Sequence, residues 1–151
     1  MLKVRNEDLL AQPRGLIVHG TNCSGGFGSG IAGQIRRQFP QVYEKFRLVP
    51  QTEGSLGILQ IVPIADDLYI ANAFTQHRAG NDGARYASPE AIYKAVEKAF
   101  KWAGMMELPL LLPKIGCGLG GLSWDDEVEP IFEELAHKYP DVELHIFEFN
   151  K

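Results

Sequence analysis

The chain is poor in several things, and each shortage excludes a class. It has two cysteines, Cys23 and Cys117, far apart in 151 residues. That argues against a disulfide scaffold and fits a reducing compartment. Its longest apolar stretches, such as residues 108–112, fall far short of the ~20 residues a membrane span needs. The opening MLKVRNEDLL carries charges where a secretory leader has its apolar core, so a cytoplasmic protein is expected. There is no linker, no low-complexity tract and no repeat of about 20–50 residues. A basic stripe is also missing. Fifteen Lys and Arg face 19 Asp and Glu, for a net charge of −4. A duplex nucleic-acid binder needs such a stripe to meet the phosphates, so strong duplex binding is not expected. Arg36 and Arg37 form one small cluster. Lys94, Lys98 and Lys101 form another at helical spacing, which reads as a solvated face. An anionic ligand must then be held mostly by backbone groups and helix ends.

What is present is ordinary in bulk and specific in pattern. Hydrophobic residues make up 45% and charged residues 23%. Residues 1–151 amount to one domain, expected as a monomer, large enough to bury a core without staples. Strands and helices alternate, which points to an α/β fold in three layers. Residues 2–4 read as a first strand and 6–10 as a helical turn. GLIVH (15–19) is a short continuous apolar run, the mark of a buried strand. After a loop at 20–29, Ile31, Ala32, Ile35 and Phe39 recur at helical spacing up to Pro40, and 41–48 is a second short helix. Residues 56–63 and 68–74 form strands, with a hairpin across 65–67. Residues 75–87 read as a mobile loop, since Gly80, Asn81, Asp82 and Gly83 cluster there. Ser88-Pro89-Glu90 is a strong helix start, with a cap residue, Pro at the first helical position and an acid for the dipole. Residues 108–112 form a buried strand, 113–121 a second glycine loop, and Ser123 with Asp126 a capping pair. A helix bearing Val128, Ile131, Phe132, Leu135 and Ala136 precedes a last strand at 143–149. The sum is a mixed sheet of about six strands with helices on both faces.

The informative feature is a design used twice. GLIVH runs into TNCSGGFGSG and then a helix; LPLLLPKI runs into GCGLGG and then a helix. Glycine lets a ligand approach the main chain closely. The helix that follows presents unpaired N–H groups and the positive end of its dipole. Two such loops at the carboxyl ends of strands suit a diphosphate held across a crevice. Both might instead be tight turns, but glycine is denser between Gly15 and Gly33 than a turn requires.

Other signatures fail. Gly28-Ser29-Gly30-Ile31-Ala32-Gly33 matches G-x-G-x-x-G in form, yet Gly28 lies nine residues past His19, and no acid-ended strand follows. Gly30 is followed by Ile31 rather than the Lys of a nucleotide P-loop. Neither Cys23 nor Cys117 has the Arg six residues on that a cysteine phosphatase needs. There is no G-x-S-x-G elbow. His19, His77, His137 and His145 lack metal-ligand spacing, and neither metal nor cofactor is implied.

HGTNCSGGFGSGIAGQIRRQFP (19–40), LPKIGCGLGGLSWDDEVEPIFEEL and the early NEDLL together resemble a macrodomain, the ADP-ribose-binding α/β/α module. The resemblance spans essentially the whole chain. It is closest to the branch containing terminal ADP-ribose protein glycohydrolase, the yeast ADP-ribose-1″-phosphate phosphatase and the macrodomain antitoxins that remove ADP-ribose from DNA. It implies that Asp8 accepts the adenine amino group and that Asn22, Gly25, Gly26 and Gly28 surround the distal ribose. Gly30, Ile31 and Ala32 would meet the diphosphate. Ile115, Gly116, Cys117, Gly118, Leu119 and Gly120 would wrap its other side, and Phe147 would pack on the adenine. The residues alone leave alternatives: Asp8 as a helix cap, and Phe147 and Ile31 as core.

Two departures bear on activity. Glycohydrolases of this branch use a lysine where Gln76 stands in Phe74-Thr75-Gln76, and the partner aspartate of the protein-directed enzyme falls at Gly120. An amide forms no Schiff base. The resemblance then implies hydrolysis of ADP-ribose 1″-phosphate, with ADP-ribose or its 1″-phosphate as the partner. The expected mechanism has His19 move a proton or orient water while Asn22 holds the distal ribose. Backbone N–H groups of 116–120 would stabilise phosphoryl charge. A buried, hydrogen-bonded His19 is the competing reading. Asp82 is a lesser candidate, better read as a turn former. The alternatives in function are a non-catalytic ADP-ribose module and a glycohydrolase using residues other than the family lysine. Cys23 and Cys117, on facing loops, read as small reduced residues; a disulfide across the cleft is the speculative alternative.

Overall fold

Residues 15–18 are apolar toward both sides, so the segment that they open, 15–22, is stable only with cover on both faces. A computed structural model, describing residues 2–28, 30–78, 84–118 and 120–149, places it at the centre of a sheet. The strands are β1 (Val4–Arg5), β2 (Gly15–Asn22), β3 (Leu59–Ala65), β4 (Leu68–Gln76), β5 (Leu110–Pro113) and β6 (Leu144–Phe147). Their spatial order is β1-β6-β5-β2-β4-β3. All neighbours run parallel except β3 against β4, so the sheet is mixed and has six strands, as expected. The antiparallel pair is the hairpin anticipated across 65–67, with Asp67 in the left-handed region at φ 59°. β3 lies at the sheet edge, where Pro63 costs no ladder bond in the interior.

Among the described residues four α-helices cover the two faces: α1 (Gly30–Gln38), α2 (Pro40–Phe46), α3 (Pro89–Met106) and α4 (Glu129–Lys138). Side chains alternate across the sheet. Leu16 and Val18 join Ile92, Val96 and Phe100 of α3 and Phe132 and Leu135 of α4 in one core. Ile17 joins Ile35 of α1 and Val42 and Phe46 of α2 in the other. In that second layer Phe46 stacks on Phe74, with ring centres 5.5 Å apart, and lies 4.8 Å from Phe27. Burying each such ring contributes about 1.5–3 kcal/mol.

Helix ends follow local chemistry. Ser88 Oγ accepts the Ala91 N–H at 3.2 Å and Pro89 opens α3, as the sequence predicts. Pro40 ends α1 and also begins α2. A residue before proline is pushed out of the helical region, and Phe39 has ψ 68°. The expected strands shift at their margins. β1 is Val4–Arg5 rather than 2–4, and β6 stops at Phe147 rather than 149. β2 runs on to Asn22, three residues beyond His19, because it pairs with β4 as far as Gln76. The expected loop at 75–87 is partly structured: Thr75 and Gln76 belong to β4, and Gln76 bridges to Ala87. Its Gly80, Asn81, Asp82 and Gly83 lie outside the described residues.

Candidate functional site

β2 and β5 are parallel neighbours, with Leu16 opposite Leu110 and Ile17 opposite Leu111. The chain leaving β2 turns into the α1 layer, and the chain leaving β5 turns into the α4 layer. Neighbouring parallel strands whose loops part to opposite faces leave a crevice at their carboxyl ends. Here that crevice is a cleft of about 760 Å³, within the ~300–1,000 Å³ usual for small-ligand sites. One wall is Asn22, Gly26, Phe27 and Gly28 with the first turn of α1, Gly30, Ile31 and Ala32. The other wall is Ile115, Gly116, Cys117, Gly118 and Gly120. Along the cleft the ends of β6, β5, β2 and β4 contribute Glu148 and Phe149, then Lys114, then Asn22, then Gln76.

Each wall is braced from within. The Asn22 side-chain oxygen accepts from the N–H groups of Ser24 and Gly26, each at 3.0 Å, and from the Ser24 hydroxyl at 3.2 Å. Its amide donates to the Gly26 carbonyl at 3.0 Å. Asn22 thus shapes the first loop. α1 packs on that loop so closely that a Cβ on Gly33 would lie 2.8 Å from the Gly28 carbonyl oxygen. A Cβ on Gly120 would lie 2.6 Å from the Gly116 oxygen, so the second loop also closes only with glycine. After it comes a π turn, Trp124–Val128. Ser123 Oγ accepts the Asp126 N–H at 3.2 Å as expected, but the return bond is made by Glu127, whose Oε1 accepts the Ser123 N–H at 3.1 Å. The extra residue of a π turn moves the returning carboxylate one place along the chain.

No family model matches this sequence. The chain is 30% identical over 129 residues to an uncharacterized 17.5 kDa protein from the tk-vs intergenic region of phage T4, covering 81% of this chain and 80% of that protein. It is 26% identical to a DNA ADP-ribosyl glycohydrolase of Thermus aquaticus, over 98% of this chain and 41% of the relative. Its fold matches the macrodomain of Thermus aquaticus DarG with a TM-score of 0.75 at 25% identity, over 98% of both chains. The chain belongs to the macrodomain family. Within it, the chain lies in the DarG-like branch. Thermosipho africanus DarTG in complex with ADP-ribose also matches, with a TM-score of 0.75 at 19% identity, over 93% of this chain and 39% of that one. This macrodomain spans about two fifths of the DNA ADP-ribosyl glycohydrolases it resembles.

The cleft of the macrodomain brings together Asn22, Gly26, Gly28, Gly30, Ile31, Ala32, Ile115, Gly116, Cys117, Gly118 and Gly120. Leu119 lies outside the described residues. Gly25 is exposed beside the cleft lining, and its N–H donates to Gln51 Oε1 at 2.8 Å. Asp8 is exposed and caps the short turn Leu9–Ala11, accepting the Leu10 N–H at 2.9 Å; it does not line the cleft. Phe147 is fully buried in the α1–α2 core with the Arg5 guanidinium 4.8 Å from its ring centre. Toward the β6 and β5 end of the cleft the lining aromatics are Phe149, beyond the strand end, and Trp124. Lys114 and Glu148 line it too, an unexpected charged pair. Gln76 sits at the far end and donates to the Arg78 carbonyl at 3.0 Å.

Cys23 and Cys117 are both free thiols. Burial pushes the Cys117 thiol up to about 11, against the pull of Lys114, and burial also raises Cys23. Neither is a thiolate near neutrality. Among the described residues no three His, Cys, Asp or Glu side chains group as a metal site.

The expectation of a proton-transferring His19 at the ligand meets a different geometry. His19 is fully buried and absent from the cleft lining. Three further residues of β2 place the strand end about 10 Å above it. Its Nε2 lies 2.6 Å from Asn72 Oδ1, while Asn72 Nδ2 donates to the Val42 carbonyl and to Gln60 Oε1. Asn72 therefore offers an acceptor, and His19 Nε2 donates. Burial lowers the imidazole pKa to about 4, only partly opposed by the Asn72 bond. The folded state then favours the neutral ring. His19 contributes stability fully above its unfolded value of 6.5, and that contribution is lost as pH falls toward about 4. Urea unfolding at pH 7, 6, 5 and 4 should show wild type losing up to about 1.4 kcal/mol per pH unit from this group across the window. His19→Gln should flatten that slope; equal slopes in the two proteins would contradict a buried neutral His19.

Proposed function

We propose that the cleft takes ADP-ribose, with the diphosphate in the crevice between the two glycine loops. The observation that carries this reading is the pairing of two main-chain walls at the ends of β2 and β5, one of them finished by the start of α1. Backbone N–H groups and a helix N-terminus bind phosphate without any formal charge. That is the chemistry open to a chain of net charge −4. The order of strand ends orients the ligand. Phe149 and Trp124 at the β6 and β5 end offer ring faces to a base. Gln76 at the β4 end offers its side-chain amide to a sugar, and the braced Asn22–Gly26 turn shapes the wall beside it. The ADP-ribose complex of the Thermosipho relative supports the assignment.

For activity we propose hydrolysis of ADP-ribose 1″-phosphate. Water adds at phosphorus, the bond from phosphorus to the 1″ oxygen breaks, and ADP-ribose leaves with phosphate as co-product. Backbone N–H groups of the second loop would stabilise the phosphoryl oxygens. His19, buried and neutral, takes no proton in this scheme. The covalent route through an amine does not apply at Gln76, so the glycohydrolase activity in the relatives' name is not carried over. A binding module with little turnover is the second reading. Its support is that the first-loop end of the lining, from Gly20 to Ala32, holds no acid or base among the described residues.

Calorimetric titration should show ADP-ribose binding more tightly than AMP or NAD, with Phe149→Ala about tenfold weaker. AMP binding as well as ADP-ribose would overturn the reading. In a phosphate-release assay on ADP-ribose 1″-phosphate, wild type and His19→Gln should turn over within about threefold of each other. No release by wild type alongside tight ADP-ribose binding would favour the module, and a large loss in folded His19→Gln would return the histidine to the mechanism.

A further inference from the structure

Lys114 and Glu148 are the only formally charged side chains among the described residues lining the cleft. They sit on the neighbouring ends of β5 and β6, with Lys114 Nζ 3.3 Å from Glu148 Oε2. Lys114 follows directly on the last residue of β5. Its carbonyl accepts the Cys117 N–H at 3.2 Å, and the next residue, Ile115, donates to Pro113 at 2.9 Å. The backbone beneath the lysine is therefore pinned at the root of the second glycine loop. Above it the four-carbon stem is free to swing. The Trp124 ring, 5.8 Å from Nζ, holds the ammonium on the cleft side. The Glu148 N–H donates to the Arg5 carbonyl at 2.8 Å, so its backbone is pinned against β1 and its shorter side chain reaches less far than the lysine's.

The pair is 30% and 43% exposed, so water screens it and little is lost when it parts. A diphosphate brings two negative charges to the same cleft. It attracts the ammonium and repels the carboxylate, and a charge-assisted bond to phosphate is stronger than a screened surface pair.

We propose that Lys114 exchanges Glu148 for a phosphate oxygen when a nucleoside diphosphate enters, so that Glu148 lowers affinity by competing for the lysine. This rests on the ADP-ribose reading of the cleft and adds to it a side-chain counter-ion with a built-in competitor. The consequence is a selective penalty. Ligands without a phosphate near the β5 end leave the pair intact and gain nothing from Lys114.

The test is a four-protein titration with ADP-ribose: wild type, Lys114→Met, Glu148→Gln and the double variant, each checked for folding by thermal melting. Lys114→Met should weaken binding about tenfold, and Glu148→Gln should tighten it by about three- to tenfold. In the Lys114→Met background the gain from Glu148→Gln should shrink below about twofold, because no lysine remains to release. An equal gain in both backgrounds would mean plain repulsion and would overturn the exchange. Unchanged affinity in Lys114→Met would overturn it as well, while leaving the ADP-ribose reading intact. Titration with inorganic diphosphate runs alongside. The same charge pattern there would uphold the exchange even if wild type refused ADP-ribose, a result that would sink only the functional reading. Binding of neither probe would overturn both.

Discussion

Everything in this macrodomain depends on one constraint of direction. Two parallel strands hydrogen-bond side by side, and here the chains leaving them part to opposite layers. β2 delivers the first glycine loop to the α1 face, and β5 delivers the second to the α4 face. The crevice needs no special residue to open; it follows from topology. What residues supply is closeness. Gly33 lets α1 touch its own loop, and Gly120 lets the second loop fold back on Gly116. The Asn22 carboxamide then fixes the first loop with bonds that would otherwise be available to a ligand.

A site made of main chain explains how an acidic protein can present itself to an anion. The donors are backbone groups that cost no charge, and the helix dipole adds to them. The charged side chains at the cleft are a mutually neutralising pair rather than a basic patch. His19, just before the first loop, is spent on the core, where it joins Asn72, Gln60 and the Val42 carbonyl in a polar chain under α2. Such a chain fixes the register of β2 on β4 and leaves the chemistry above it to the loops.

The layered fold, the strand–helix alternation and both glycine loops were readable because their signals are local: continuous apolar runs, 3.6-residue spacing, and Ser88-Pro89 at a helix start. The misplacements share one cause. Period and propensity do not say where a strand stops. His19 looks like the last residue of GLIVH, yet pairing with β4 carries β2 to Asn22 and sinks the histidine. Phe147 and Phe149 alternate alike in sequence, but β6 ends at the first, which is buried, and the second is released to the cleft. Lys114 and Glu148 stand 34 positions apart, and only the adjacency of β5 and β6 brings them together. Asp8 as a cap was readable from its place before Leu9 and Leu10, and the structure gives it that bond.

The most direct test of the main-chain cradle is amide NMR of the ¹⁵N-labelled protein during titration with ADP-ribose. The account predicts that the largest shifts fall on the N–H groups of Gly30, Ile31 and Ala32 and of Gly116, Cys117 and Gly118, on both walls together. Shifts confined to one wall, or centred on surface residues such as the 65–67 hairpin, would contradict it.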